Sequence, residues 1–267
     1  MKGRVVFLAL ALCFGSLLTP DPSRAALISM YEFNGSTADS VRGASGAGTF
    51  VGTASYVPGR IGNGLAFNGS NYLTAPVVGG GLSTFSVSAW VKFNTTTTWA
   101  TIVKNWGDLS QGTFHLGLDS ASSKLSDYIT STSPTAMVMD SATVTTGQWI
   151  HVATTFNGPS GRHKLYVNGV NKATSAASGS LLTFGSKMSM GAKLNDAQTG
   201  VSSSAPGYLN GVLDDVGFYN EELSAVQITT LYNNGLNGIG AVPEPSCTSL
   251  LVVGLGGLAA LRRRKGI

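Results

Sequence analysis

Hydrolysis of a glycosidic bond needs two facing carboxylates, about 5–5.5 Å apart in a retaining mechanism. The stretch from residue 27 to 241 holds only three glutamates, Glu32, Glu221 and Glu222. The last two are adjacent at a predicted helix entry, where they suit the helix dipole. Nucleophilic catalysis has no better footing. There is no Gly-x-Ser-x-Gly elbow, and both cysteines, Cys13 and Cys247, lie in the end segments. His115, His151 and His163 lack metal-ligand spacing. His151 follows a strand tryptophan and is expected to make a packing or backbone hydrogen bond. A cation held by carboxylates is the better candidate. Asp214 alternates with Val216 and Phe218, so it should point inward with them. An unpaired buried carboxylate is costly. Three partners are open to it: backbone N–H groups, Arg60, or a hard cation such as Ca²⁺.

Ligand binding without chemistry would rest on loop aromatics beside hydrogen-bonding groups. Trp99 follows the polar run Thr95–Thr98, and Trp106, Tyr128 and Tyr208 lie near other Gly/Ser/Asp-rich segments. Asp108, Asn105 and the pair Asn195-Asp196 could supply hydrogen bonds beside these rings. Trp90 and Trp149 fall in predicted strands and read as core. Trp106 reads as core more readily than as site. The Ser/Thr-rich segments 120–136 and 174–180 read equally well as solvated loops.

The rest of the composition says what must position these residues. Of 267 residues, 43% are hydrophobic and 11% charged, with 35 Gly, 11 Phe, 8 Tyr and 4 Trp. That supports a folded core rather than disorder. The formal charge of +4 comes from the ends. Seven of 17 Lys and Arg lie there, against two of 13 Asp and Glu. The stretch 27–241 therefore carries 10 basic and 11 acidic residues. A near-neutral domain has no electrostatic footprint for a phosphate backbone, so nucleic acid is not an expected partner.

Residues 1–25 read as a secretory signal, with Lys2 and Arg4 before the apolar run Val5–Leu18 and small residues placing the cut after Ala25. A retained membrane anchor and a lipoprotein at Cys13 are the weaker readings. The segment 238–267 contains Pro243-Glu244-Pro245, an apolar helix over about 247–261, and Arg262, Arg263, Arg264 and Lys265. The sixteen uncharged residues Ser246–Leu261 are short of the roughly 20 that span a bilayer as helix, but snorkelling and local thinning allow insertion as a transmembrane helix. The basic cluster would stay cytoplasmic. This three-part tail resembles the PEP-CTERM sorting signal of Gram-negative bacteria. The resemblance implies processing by an exosortase near the Pro-Glu-Pro after signal peptidase has acted. It also implies export across the inner membrane and an association with biofilm exopolysaccharide. Cys247 departs from the usual small or aliphatic residue of that family.

The stretch 26–237 reads as one all-β domain. Short β-branched and aromatic runs alternate with Gly/Ser/Asn/Thr clusters. In Phe85–Phe93 the residues Phe85, Val87, Ala89, Val91 and Phe93 share a face, and Trp90 lies on the other. Trp149–Phe156 ends at Asn157-Gly158, and Lys164–Val167 ends at Asn168-Gly169. One helix is predicted, with Ser224 and Gln227 as a capping box, Leu223, Ile228, Leu231 and Tyr232 as its apolar side, and Gly235 as its stop.

The ordered set Tyr31–Asn34, Ala38–Ser40, Gly59–Gly69, Phe85–Val91, Ile102–Trp106, Trp149–Ala153, Leu165–Gly169 and Gly211–Val216 resembles the laminin-G-like jelly roll of the concanavalin A-like lectin/glucanase superfamily. The resemblance implies a two-sheet antiparallel jelly-roll sandwich with one short C-terminal helix. It implies a possible calcium ion too, with Asp39, Asn34 and Asp215 joining Asp214, because the first and last strands pair in such folds. The Glu-x-Asp-x-x-Glu strand of its glycan-cleaving members is missing here. The expected function is a non-catalytic binding module for carbohydrate or protein at the cell surface or in the matrix. The alternatives are a structural matrix or adhesion protein, and an atypical glycan-cleaving enzyme.

Overall fold

A computed structural model describes residues 27–109, 112–121, 123–132 and 136–241. The secretory segment, Pro243-Glu244-Pro245, the apolar run after it and the basic cluster lie outside the described residues. Among the described residues no helix is long and apolar enough to cross a membrane. The elements run β1 Leu27–Tyr31, β2 Thr49–Val51, β3 Tyr56–Pro58, β4 Asn63–Asn68, β5 Tyr72–Pro76, β6 Thr84–Thr95, β7 Thr101–Trp106 and β8 Gly112–Leu118. They continue with β9 Lys124–Ile129, β10 Ala136–Thr143, β11 Trp149–Asn157, β12 Arg162–Val167, β13 Val170–Ala176, β14 Lys187–Met190, β15 Asn210–Tyr219 and α1 Ala225–Leu236.

These strands form a two-sheet antiparallel sandwich. The first sheet runs β13-β12-β11-β6-β15-β4-β3, with β1 also on β15; the second runs β10-β9-β8-β7-β14-β5-β2. The inner faces meet in an apolar core. Phe85 and Phe218 of the first sheet pack against Phe114 of the second, with ring centroids 5.4–6.3 Å apart. Each such ring contributes about 1.5–3 kcal/mol by leaving water. Phe85, Val87, Ala89, Val91 and Phe93 all belong to this core, as their alternation predicts.

The other face of β6 is covered rather than solvated. Helix α1 lies on it, and Ile228 joins Ala153, Tyr166, Tyr219 and Leu223 in a second, smaller cluster. Tyr232 stacks on Trp90 at 5.7 Å. Trp90 is therefore buried under the helix, outside the inter-sheet core. The helix begins with the predicted capping box: Ser224 and Gln227 each bond the other's backbone N–H. Its end differs from expectation. Gly235 stays inside the helix, where a Cβ would stand 2.3 Å from the Trp90 indole nitrogen. The left-handed residue that follows the helix is Gly238 (φ 71°).

Two other readings are corrected. Trp149 is only partly buried and carries Lys92 Nζ 5.2 Å from its ring centroid, so it is an edge residue and not core. The segments read as possible solvated loops contain β9 and the last three residues of β13, and Leu125 and Ile129 of β9 are core residues. Their strand pattern is masked because Asp127 occupies the inward position between them.

Candidate functional site

The outer face of the second sheet positions one row of side chains across five strands. Ser189 of β14 pairs with Lys104 of β7, Lys104 with His115 of β8, His115 with Tyr128 of β9, and Tyr128 with Met137 of β10. Their strand neighbours Val103, Phe114, Leu116 and Ile129 fill the core, so this row faces outward. On β7 the register slips between Thr101 and Val103. Ile102 and Val103 both reach the core, and the slip turns Lys104 and Trp106 to the outer face.

Above this row the residues 95–100 bring Trp99 down as a wall. Trp99 meets His115 edge-on at 5.7 Å and Tyr128 at 5.5 Å. Its backbone is left-handed, with φ 60°, an uncommon conformation for a bulky residue that the surroundings must enforce. Its N–H donates to Asp119 O at 3.2 Å, Thr101 Oγ1 donates to its carbonyl at 3.3 Å, and Thr97 Oγ1 donates to Tyr208 O at 2.7 Å. Gly207 permits this approach. A Cβ there would stand 2.3 Å from the Trp99 carbonyl oxygen.

The result is a pocket of about 300 Å³ bounded by Trp99, Lys104, Trp106, Asp108, His115, Tyr128 and Lys193, among others. Four of the five ring and carboxylate candidates from the sequence, Trp99, Trp106, Tyr128 and Asp108, converge here. Tyr208 lines an adjoining hollow that shares Trp99 and Ala205 with it. Trp106, read as core, is instead a partly exposed pocket wall. Asn105 points the other way and donates to Phe184 O and Lys187 O. Asp196 Oδ1 accepts the N–H groups of Asp108 and Leu109 and so shapes the rim.

The electrostatics are uneven. Asp108 lies below the usual carboxylate range, held there by the Ser202 hydroxyl and by Lys193, whose Nζ is 2.9 Å from Asp108 Oδ1. His115 is fully enclosed. Burial first, and the Lys104 cation second, hold its pKa well below the ordinary value, so the ring is neutral. Its Nε2 lies 3.3 Å from Leu118 O, which makes Nε2 the donor and leaves Nδ1 as an unpartnered acceptor. Lys104 is 4% exposed, and burial followed by Lys193 brings its pKa down to about 7. Lys104 and Lys193 were not singled out from the sequence, and His115 was weighed there only as a metal ligand. The spacing Lys104-x-Trp106 on one strand face is the signal that could have found Lys104, and the register slip obscured it.

The residues expected around a calcium ion behave differently. Asp39 is saturated by Ser29 Oγ, the N–H groups of Met30, Val41 and Arg42, and Arg42 Nε. Burial pushes its carboxyl up, but these donors outweigh it and hold it low. Asp214 Oδ2 accepts the backbone N–H groups of Arg60 and Ile61, both at 2.7 Å, so backbone amides are its partner. Gly59 is required there, since a Cβ would stand 2.5 Å from that oxygen. The Arg60 guanidinium turns away, donates to Gly235 O and Leu236 O, and caps the C-terminus of α1. Asn34 Oδ1 accepts the Asn63 N–H. Asp215 sits at a register slip in β15 with φ 47°. Among the described residues no group of three or more His, Cys, Asp or Glu is placed to hold a metal. With Asp39 and Asn34 committed elsewhere, the four-residue set does not fit a calcium shell.

Comparison with known proteins bears on this geometry. Domain 4 of AbnA, a GH43 extracellular arabinanase from Geobacillus stearothermophilus solved with arabinotriose, is 26% identical, with a TM-score of 0.61 over 77% of this chain and 98% of that one. The binding domain of Paraclostridial Mosquitocidal Protein 1 is 14% identical, with a TM-score of 0.61 over 79% of this chain and 52% of that one. The botulinum neurotoxin serotype G binding domain is 14% identical, with a TM-score of 0.57 over 77% of this chain and 50% of that one. The chain thus spans about half the length of these toxin domains, and they share its fold. No curated protein matches the sequence. The family model Laminin_G_3, described as concanavalin A-like lectin/glucanases superfamily, matches residues 67–229, and the chain belongs to that family.

Proposed function

We propose that this chain is an exported, non-catalytic carbohydrate-binding module that uses the pocket on the outer face of the second sheet. The observation that carries the reading is the convergence of Trp99, Trp106 and Tyr128 on one pocket whose floor holds Lys104 and His115. Flat rings beside a few convergent polar groups are the usual make-up of a small-ligand site. The likeness to an arabinanase domain solved with arabinotriose supports a sugar as the occupant. Asp108 is the carboxylate in the pocket lining and is already engaged by Lys193. That supports binding without cleavage, since glycoside hydrolysis calls for a facing pair.

The end segments supply the location in this reading. Signal peptidase would remove residues 1–25. An exosortase would process the Pro243-Glu244-Pro245 tail, passing the domain from the inner membrane to the cell surface or the exopolysaccharide matrix. The test is binding of a panel of bacterial polysaccharides and oligosaccharides, arabinotriose included, to the wild type and to Trp99→Ala. Trp99→Ala is expected to weaken binding at least about tenfold, a loss of roughly 1.4 kcal/mol, with no new reducing ends released. Binding that ignores Trp99 would overturn the pocket assignment. Absence of binding across the panel would favour a structural or protein-binding role.

A further inference from the structure

Lys104 is an unusual floor for a sugar pocket. It is 4% exposed and lines the cavity, yet among the described residues its ammonium has neither an ion pair nor a hydrogen bond. Every other charged group around it is occupied. Lys193 holds Asp108 at 2.9 Å. Asp108 also accepts from Ser202 Oγ and Ser204 Oγ. Asp196 accepts two backbone N–H groups at the rim. Asp119, near Tyr128, accepts the N–H groups of Ser123 and Lys124. On the neighbouring strands His115 is neutral and Tyr128 is held protonated, its pKa raised by burial and then by Asp119. Ser189, across from Lys104 on β14, donates its hydroxyl to Ala192 O at 2.6 Å. A buried cation without a counter-charge is costly, and a pocket open beside it admits one.

We propose that the pocket takes an acidic sugar: a glycan whose anionic substituent, a uronate carboxylate or a sulfate ester, seats on the Lys104 ammonium while its ring lies against Trp99 and Tyr128. This rests on the carbohydrate reading above and narrows it to a substrate class. A charge-assisted contact in an enclosed site is about twice as strong as a neutral hydrogen bond, so the acidic group should dominate selectivity. An anion raises the affinity of Lys104 for its proton, and the amine is otherwise half-neutral near pH 7. By linkage, the preference for an acidic ligand should grow as pH falls from 8.5 to 6, a range in which uronate and sulfate keep their charge.

The experiment uses the full-length chain, immobilised by one end. It compares trigalacturonate with its carboxyl-reduced neutral counterpart, and a sulfated oligogalactan with its desulfated form, at pH 6 and pH 8.5. The expected result is at least ~tenfold tighter binding of one acidic probe over its neutral partner at pH 6, shrinking several-fold at pH 8.5. The uronate and sulfate arms say which group is taken. Lys104→Met removes an unpaired buried charge and should keep the fold while bringing the acidic-to-neutral ratio to about one. Neutral and acidic probes binding alike at both pH values would overturn the proposal and leave the carbohydrate reading standing. So would a preference that survives Lys104→Met. Failure of all four probes, with Trp99→Ala equally inert, would overturn both.

Discussion

Between the two sheets lies a buried polar cluster with the residue types of catalytic machinery. Asp127 Oδ2 sits 2.6 Å from His163 Nε2 and 2.7 Å from Thr154 Oγ1. Carboxylate, imidazole and hydroxyl are present, but all three side chains are buried in the sandwich, where no substrate reaches them. Asp127 comes from the second sheet and its partners from the first, so the cluster pins one sheet to the other. Burial pushes the Asp127 carboxyl up, and His163 first, then Thr154 and the Tyr128 backbone N–H, act against that. His163→Ala should therefore cost about 3–5 kcal/mol in urea unfolding, the range for breaking a buried pair by removing one partner. Asp127→Asn should cost less, because an amide oxygen still accepts from Thr154. Equal costs for the two variants would argue against the pairing. Asp215 makes the opposite case. Burial, then the neighbouring Asp214 charge, push its carboxyl up to about 8. A carboxyl whose folded pKa is raised binds more protons folded than unfolded. Its contribution is complete below about pH 4 and is lost as pH rises through 8. Asp215→Asn should therefore raise Tm at pH 9 by a few degrees and leave it nearly unchanged at pH 4. A variant with the same pH dependence as the wild type would refute this.

At the scale of elements, α1 shows how tertiary contact overrides local preference. Alanine is a better helix former than glycine by about 1 kcal/mol, so Gly235→Ala would stabilise an isolated helix. Here the methyl group would meet the Trp90 indole at 2.3–2.6 Å. Overpacking of this kind costs about 1–3 kcal/mol, and Gly235→Ala should lower Tm. A raised Tm would show that α1 is free to shift off β6. The same contact explains why Gly235 reads as a helix stop in the sequence: its role is set by a tryptophan 145 positions earlier. Strands with clean alternation, such as β6 and β11, and the turn at Asn168-Gly169 with both residues at positive φ, were legible because their signals are local. β9 was not, since Asp127 breaks its apolar face for a partner on another sheet. In the site the loop aromatics were legible by type. Lys104 was hidden because a register slip in β7 decides which way it points, and no local pattern encodes that slip.

For the molecule as a whole, the sheet order interleaves the two halves of the chain. β14 sits between β5 and β7, and β15 between β4 and β6, with β1 also on β15. Neither half can bury its strands alone, so the sandwich should unfold in one step. The four tryptophans test this well. Trp90 lies under α1, Trp99 and Trp106 line the pocket, and Trp149 lies at the start of β11. Their fluorescence therefore reports both outer faces, while far-ultraviolet circular dichroism reports the sheets themselves. The two signals should trace the same urea transition, with an earlier fluorescence step contradicting the single core. No disulfide can brace the sandwich, because Cys13 and Cys247 lie outside residues 27–241. Among the described residues no group of three or more His, Cys, Asp or Glu is gathered to hold an ion. Reductant and EDTA should each leave the transition midpoint where it was, and a midpoint that falls in EDTA and recovers with calcium would show that a cation joins the buried Asp214–Asp215 pair after all.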